Sequence, residues 1–102
     1  MYLITTSLYP PDKVKEAANM YVQMMTKYPD NASFGTPIVQ GAVRSTIQGM
    51  KVISIFDVKK GKFDDAMALT VERMTMFNDI PGYRWVIKPY YNLEEAFKTI
   101  GM

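Results

Sequence analysis

The residues best suited to chemistry are two arginines and the polar residues around them. Arg44 lies in an extended segment rich in β-branched residues, and Arg84 lies in a second such segment near the end of the chain. A guanidinium group holds a carboxylate through two parallel hydrogen bonds. With Gln40 on the same strand, the two arginines predict a binding site for a carboxylate or another small anion. The structural alternative is an ion pair between Arg44 and an acid such as Asp57 across a subunit contact.

Aromatic residues form a second candidate site. Tyr83 and Trp85 alternate on the last extended segment, while Tyr21 and Tyr28 lie at helical spacing. These rings predict either an aromatic pocket between helices and sheet or simply buried core, which is the commoner fate of such side chains.

The chain has no cysteine and no histidine. This excludes disulfides, thiolate nucleophiles, Cys/His zinc sites, histidine-ligated haem and histidine general bases. We predict no cofactor and no metal site. If the protein were a cofactor-free enzyme, its candidate catalytic residues would be Asp57, Arg44 and Tyr83.

Length and composition predict one domain spanning residues 1–102. The chain is 48% hydrophobic and 22% charged, as in ordinary globular proteins. A net charge of +2 with scattered basic residues does not predict a nucleic-acid partner. The first residues alternate like a strand and lack both a basic start and a long apolar run. We therefore expect no signal peptide, no membrane span and a cytoplasmic location.

The hydrophobic spacing predicts strand, helix, strand, strand, helix, strand and a short terminal helix. The predicted ranges are 2–9, 11–28, 38–47, 50–58, 63–78 and 83–89, followed by a helix that Asn92 caps with Glu95. The terminal helix carries an apolar stripe that we expect to be buried. This order predicts an α+β, ferredoxin-like βαββαβ fold, with two helices on one face of a four-stranded antiparallel sheet.

The second and third strands predict a hairpin with Gln48 and Gly49 as its loop, so that Ile47 faces Met50. In this register the helices cover one apolar face. Its predicted members are Val39, Val43, Val52, Phe56 and Val58, joined by Trp85.

Two helices cannot cover the opposite face, which carries Arg44 among apolar residues. Its predicted apolar members are Ile38, Ala42, Ile53, Ile55, Val86 and residues of the first strand. A contiguous apolar patch of this kind is unusual on a monomer. We therefore expect a homodimer, or a higher homo-oligomer, packed sheet to sheet with two-fold symmetry.

The element order, the segment Pro-Pro-Asp-Lys-Val at 10–14 and the half-covered sheet resemble the dimeric α+β barrel superfamily. The segment from Ile87 to Ala96 is similar to the ending of a branch without assigned activity, near the antibiotic-biosynthesis-type monooxygenases. The resemblance implies a ligand between helices and sheet or inside the barrel. It implies no haem-degrading activity, because that branch relies on a histidine ligand.

Three functions follow as hypotheses. The first is a homodimer that binds a small molecule without established catalysis. The second is a cofactor-free, monooxygenase- or isomerase-like enzyme acting on a small aromatic or acidic metabolite. The third is a structural or regulatory module that uses its barrel only to assemble.

Overall fold

The computed structural model describes residues 1–102 and has the predicted element order. The strands and helices are β1 (Tyr2–Tyr9), α1 (Val14–Lys27), β2 (Gly35–Thr46), β3 (Gly49–Val58), α2 (Phe63–Thr75), β4 (Arg84–Tyr90) and α3 (Leu93–Thr99). Single 3-10 turns precede α1 and follow α2. The four strands form one antiparallel sheet in the order β2-β3-β1-β4. The ferredoxin-like α+β fold is therefore confirmed.

Strand β1 lies inside the sheet and determines which face meets the helices. Its side chains alternate strictly, with Leu3, Thr5, Ser7 and Tyr9 buried and the residues between them half-buried. Because successive side chains of a strand point to opposite faces, the buried set faces α1 and α2. Thr5 and Ser7 are polar, so this strand presents hydroxyl groups as well as hydrocarbon to the helices.

The β2–β3 hairpin differs from the predicted register by two residues at its turn. Thr46 pairs with Gly49, so Ile47 and Gln48 form the loop. The Thr46 hydroxyl closes this turn, donating to the Gly49 carbonyl oxygen at 2.7 Å and accepting from the Gln48 amide at 3.2 Å. The sequence pattern did not show this, because a shift of two residues leaves every side chain on the same face.

Farther along the hairpin, two irregularities shift β2 again relative to β3. They lie between Pro37 and Val39 and between Val39 and Ala42. In this stretch the Ser54 hydroxyl donates to the Gln40 carbonyl oxygen at 2.9 Å. Bulges of this kind redirect side chains, which is why Gln40 does not remain on the face that strict alternation predicts.

The helices pack over the β1, β3 and β4 part of the sheet and leave β2 largely uncovered. The larger core cluster contains Tyr9, Ala17, Met24, Met74, Phe77 and Ile80, and Trp85 packs against it. Val43 was predicted to be covered by the helices, yet 59% of its surface is exposed. Only 12 of 102 residues are buried, so much of the apolar content of this chain still faces outward.

The sheet face opposite the helices is bare in the single chain, as predicted. We call it the open face; it comprises Tyr2, Ile4, Thr6, Leu8, Ala42, Arg44, Lys51, Ile53, Ile55, Asp57, Arg84, Val86 and Lys88. Val86, for example, is 44% exposed. Ile38, in the irregular stretch of β2, is also 53% exposed.

The terminal helix α3 begins as predicted but is not buried. Asn92 accepts from the Glu95 amide at 2.8 Å, and Glu95 accepts from the Asn92 amide at 2.9 Å, which completes a capping box. The expectation that its apolar stripe would be buried is wrong for the single chain, because Leu93 is 70% and Ile100 69% exposed. No helix of the structure is long and apolar enough to cross a membrane.

Gly49, at the turn of the hairpin, is a position that requires glycine. Its φ is +134°, and a Cβ added there would lie 2.6 Å from the Tyr9 carbonyl oxygen. We expect Gly49→Ala to lower the free energy of unfolding by at least about 2 kcal/mol, since both backbone strain and a backbone clash oppose it. Urea unfolding followed by circular dichroism measures the change.

Gly61 provides the matched control for this substitution. Its φ is +79°, but a Cβ added there would meet nothing within 4 Å. Gly61→Ala should therefore cost only about 1 kcal/mol of backbone strain. Equal losses of stability in the two variants would show that the approach of Gly49 to Tyr9 is not what constrains the hairpin.

Candidate ligand-binding site

A cleft of about 710 Å³ lies between α1, α2 and the helix side of the sheet. We call it the helix–sheet cleft. It exists because the helices leave β2 uncovered. Its lining includes Leu3, Thr5, Ser7 and Tyr9 of β1, Val14, Ala17, Ala18, Tyr21, Val22, Met24 and Met25 of α1, Val39, Gln40, Val43, Val52, Ser54 and Phe56 of the hairpin, and Ala66, Leu69, Thr70, Arg73, Met74, Phe77 and Tyr83 farther along the chain.

Most of the cleft wall is hydrocarbon, and part of that wall faces outward. Val22 is 65% and Val14 44% exposed on α1, opposite the exposed Val43 of β2. The methionines Met24 and Met25 add flexible thioether side chains to the same wall. The cleft is therefore an apolar opening along one side of the molecule.

Hydroxyl groups lie on the floor of the cleft. Thr5 and Ser54 are direct partners on β1 and β3, and Ser7 follows Thr5 on the same face. Thr5 and Ser7 are 7% and 3% exposed, and no buried side-chain nitrogen or oxygen lacks a hydrogen-bond partner. A few polar groups in a largely apolar lining are typical of small-molecule sites, where they fix the orientation of the ligand.

Tyr83 closes the β4 end of the cleft within a stack of three rings. Its ring lies 5.2 Å from that of Tyr9, with an angle of 4° between the planes, and 4.7 Å from that of Phe77. Burial raises the pKa of the Tyr83 phenol above its usual value, the hydrogen bond with Ser7 opposes this, and Tyr9 adds a smaller upward effect. Tyr83 is therefore a neutral phenol at physiological pH, suited to hydrogen bonding rather than to removing protons.

An ion pair that the sequence analysis missed lies at the other end of the cleft. Arg73 of α2 donates from Nε to the Tyr28 carbonyl oxygen at 2.8 Å and from Nη2 to Asp30 Oδ1 at 2.9 Å. Its side chain is only 16% exposed. The sequence does contain a signal for it, because Arg73 follows Ala66 and Thr70 at helical spacing and so shares the inward face of α2.

The structure places Arg44 and Arg84 away from this cleft, on the open face. Arg44 pairs with Lys51, Lys51 with Leu8, and Leu8 with Arg84. The two arginines therefore lie in one row across the sheet, on its two opposite edge strands. The only hydrogen bond of the Arg44 side chain joins its Nε to the Ser45 carbonyl oxygen at 3.5 Å. The predicted register, which placed Arg44 beside Ile53, is wrong because of the two-residue shift at the turn.

Asp57 lies at the far end of the open face from the arginines. It is opposite Tyr2 and Thr36, six residues along β3 from Lys51, or about 20 Å in an extended strand. Within one chain it therefore does not pair with Arg44. The catalytic candidates Asp57, Arg44 and Tyr83 are not brought together, because Tyr83 belongs to the helix side.

The remaining predicted residues divide between the cleft and the core. Gln40 lines the cleft because of the irregularities in β2, and Tyr21 lines it from α1. Trp85 shares the helix side but packs against the core cluster outside the cleft, and its Nε1 donates to Asn78 Oδ1 at 2.8 Å. No group of three or more acidic side chains is arranged to hold a metal ion.

Comparison with known proteins shows relatives of the fold. A Deinococcus radiodurans protein, provisionally named an antibiotic biosynthesis monooxygenase, is 8% identical over 90% of this chain and 94% of its own, with a TM-score of 0.51. Rv0793 from Mycobacterium tuberculosis is 9% identical over 89% and 95%, with a TM-score of 0.48. No family model and no curated protein matches the chain. At 8% identity the first likeness shows the shared ferredoxin-like fold alone.

The raised pKa of Tyr83 predicts how stability changes at alkaline pH. Because the folded state holds this proton more tightly than the unfolded chain, the contribution is fully present below the ordinary tyrosine pKa of about 10. It is lost as the pH rises above that value through the folded pKa. We expect Tyr83→Phe to make the fall in unfolding free energy between about pH 9.5 and 11 less steep, as measured by urea unfolding.

Tyr91→Phe is the control for this measurement, because Tyr91 is 60% exposed and lies outside the cleft. It should leave the alkaline slope as in the parent protein. If both variants kept the parent slope, the ionisation of Tyr83 would not be coupled to folding.

Proposed function

We propose that this protein is a homodimer that binds a small, largely apolar molecule in the helix–sheet cleft. The observation that carries the proposal is the cleft itself, with its volume of about 710 Å³ and its mainly hydrocarbon lining. Binding sites for small molecules commonly measure about 300–1,000 Å³ and combine such a lining with a few polar groups. A cytoplasmic location stays a prediction from the sequence.

The hydroxyls on the cleft floor support a ligand with one or two hydrogen-bonding groups. Ser7 and Thr5 lie side by side on β1, and the neutral phenol of Tyr83 stands beyond them. Flat rings stack favourably on tyrosine, and Tyr21 presents its ring to the cleft from α1. An aromatic or alicyclic molecule with a polar substituent fits this distribution.

The cleft favours ligand binding over the two other hypotheses. A module that only assembled would need no apolar cleft of this size on its helix side. An enzyme built on Asp57, Arg44 and Tyr83 would need these residues in one site, whereas they occupy different faces and ends of the sheet.

The open face supports the homodimer. Ile53 pairs with Thr6 on β1 and with Ala42 on β2, and Ile55 pairs with Ile4, so apolar side chains occupy the middle of this face. Moving an aliphatic side chain from water into an interface is worth roughly 1.5–3 kcal/mol. Several such side chains on each chain favour a sheet-to-sheet contact.

Charge favours one orientation of that contact. The open face has Arg44, Lys51 and Arg84 at one end, and Asp57 and Lys88 lie towards the other. A two-fold axis parallel to the strands would bring the two cationic ends together. A two-fold axis in the plane of the contact and perpendicular to the strands separates these two ends. It brings each one towards the end that holds the partner's Asp57 and only one lysine, so this arrangement is favoured.

The cleft hypothesis is tested by filling the cleft. Ala18 is an exposed residue of α1 that lines the cleft. We expect Ala18→Phe to weaken binding of a neutral probe, 2-naphthalenemethanol, by at least about tenfold, because the new ring occupies ligand space. Isothermal titration calorimetry measures the affinity.

Ala68→Phe is the matched control, because Ala68 is an exposed helix residue of α2 outside the cleft. It should bind the probe like the parent protein. Equal affinities in the two variants would place the probe elsewhere, and no binding by the parent protein would contradict the proposed function for this class of ligand.

The dimer is tested by placing a charge in the middle of the open face. Ile53→Glu should convert a dimer to a monomer at about 10 µM, because burying two unpaired carboxylates at a symmetric contact is costly. Val71→Glu is the control, since Val71 is 40% exposed on α2. Sedimentation velocity that finds the parent protein monomeric, or both variants dimeric, would contradict a dimer formed through the open face.

A further inference from the structure

We propose that Arg73 makes the helix–sheet cleft selective for an apolar molecule with one carboxylate, which takes the place of Asp30 on the guanidinium group. This inference rests on the proposed function, since it concerns the same cleft. It adds the chemical class of the ligand and the residue that recognises it.

Arg73 and Asp30 are the only charged residues that line the cleft. The remaining lining is hydrocarbon, thioether, aromatic, hydroxyl or amide. An arginine with such surroundings interacts strongly with an anion, because little water is present to screen the charge. An anionic ligand would therefore find a single preferred position, at the Arg73 end of the cleft.

The Arg73 guanidinium group has hydrogen-bond donors that no protein acceptor uses. Nε donates to the Tyr28 carbonyl oxygen and Nη2 donates to Asp30 Oδ1. A guanidinium group carries five N–H donors, so three remain after these two bonds. None of the three has a protein acceptor within hydrogen-bond distance. Together with the Nη2 donor that Asp30 occupies, these donors can hold a ligand carboxylate in place of Asp30.

Asp30 is attached in a way that permits exchange. Its side chain is 35% exposed, compared with 16% for Arg73, and its carboxylate contacts the guanidinium group through one oxygen. Asp30 follows Pro29 in the connection between α1 and β2, outside any helix or strand. The bond from Nε to the Tyr28 carbonyl orients the guanidinium plane independently of Asp30. The arginine therefore remains in place when the aspartate leaves it.

The surroundings favour a carboxylate over a doubly charged anion such as a phosphate monoester. Arg73 is the only cationic side chain at the cleft, so a single negative charge is neutralised and a second is not. It also lies in the last turn of α2, where the helix dipole presents its negative end. A planar carboxylate matches the fork of donors that arginine presents.

The experiment compares two probes of the same shape, 2-naphthoate and 2-naphthalenemethanol, by calorimetry at pH 7.5. Arg73→Gln should weaken binding of 2-naphthoate by about tenfold to a hundredfold, the usual effect of losing charge-assisted hydrogen bonds. It should change the affinity for the neutral alcohol by less than about twofold, because the apolar contacts remain. The neutral probe thus reports whether the cleft is still formed.

Asp30→Asn provides the independent test and keeps Arg73 in place. It should strengthen binding of 2-naphthoate by about threefold or more, because the competing carboxylate is gone and its neutral amide binds arginine less strongly. It should leave the affinity for the alcohol unchanged. This gain would not arise if the ion pair only held the loop to α2, since breaking a structural contact does not improve binding.

The outcomes separate the two proposals. If the parent protein binds the alcohol but Arg73→Gln weakens both probes equally, or Asp30→Asn weakens 2-naphthoate, the carboxylate proposal is wrong and the cleft remains a binding site. If the parent protein binds neither probe, the proposed function fails and this inference fails with it. Should Arg73→Gln not fold, the Asp30→Asn comparison decides the matter alone.

Discussion

The structure depends on one constraint: two helices are too few to cover a four-stranded sheet that carries apolar side chains on both faces. They pack over β1, β3 and β4, where Tyr9 of β1 is buried against Phe77 from the turn after α2. They do not reach β2, whose Val43 is more than half exposed. The cleft and the open face both exist because the two helices cover only part of the sheet. One is an apolar opening beside the helices, and the other is an apolar surface on the opposite side of the sheet.

The fold could be predicted largely from local patterns. Alternation along β1, the helical spacing of α1 and α2, and the cap formed by Asn92 and Glu95 depend on neighbours a few residues apart. The hairpin register could not be predicted, because a shift of two residues preserves both faces. The requirement for glycine at Gly49 comes from the Tyr9 carbonyl oxygen on another strand, which no local pattern reveals.

The candidate site could be predicted only in part. The resemblance implies a ligand between helices and sheet, and Tyr83, predicted for a pocket there, lines the cleft. Gln40 also lines the cleft, although the predicted register places it beside Arg44 on the opposite face. Arg73 could not be predicted as the cation of the site, because its contact with Asp30 spans 43 residues of sequence. The position of Arg73 on the apolar stripe of α2 was the available signal. Trp85, by contrast, is a predicted site residue that packs against the core outside the cleft and donates to Asn78.

Nuclear magnetic resonance of methyl-labelled methionines tests most directly whether the cleft binds a small molecule. Met24, Met25 and Met74 line the cleft, whereas Met102 is 80% exposed at the end of the chain and lies outside it. Addition of 2-naphthalenemethanol should shift the three cleft methyl resonances through the ring current of the bound aromatic group and leave Met102 in place. Saturable shifts confined to methionines outside the cleft, or no saturable shifts at all, would contradict the account.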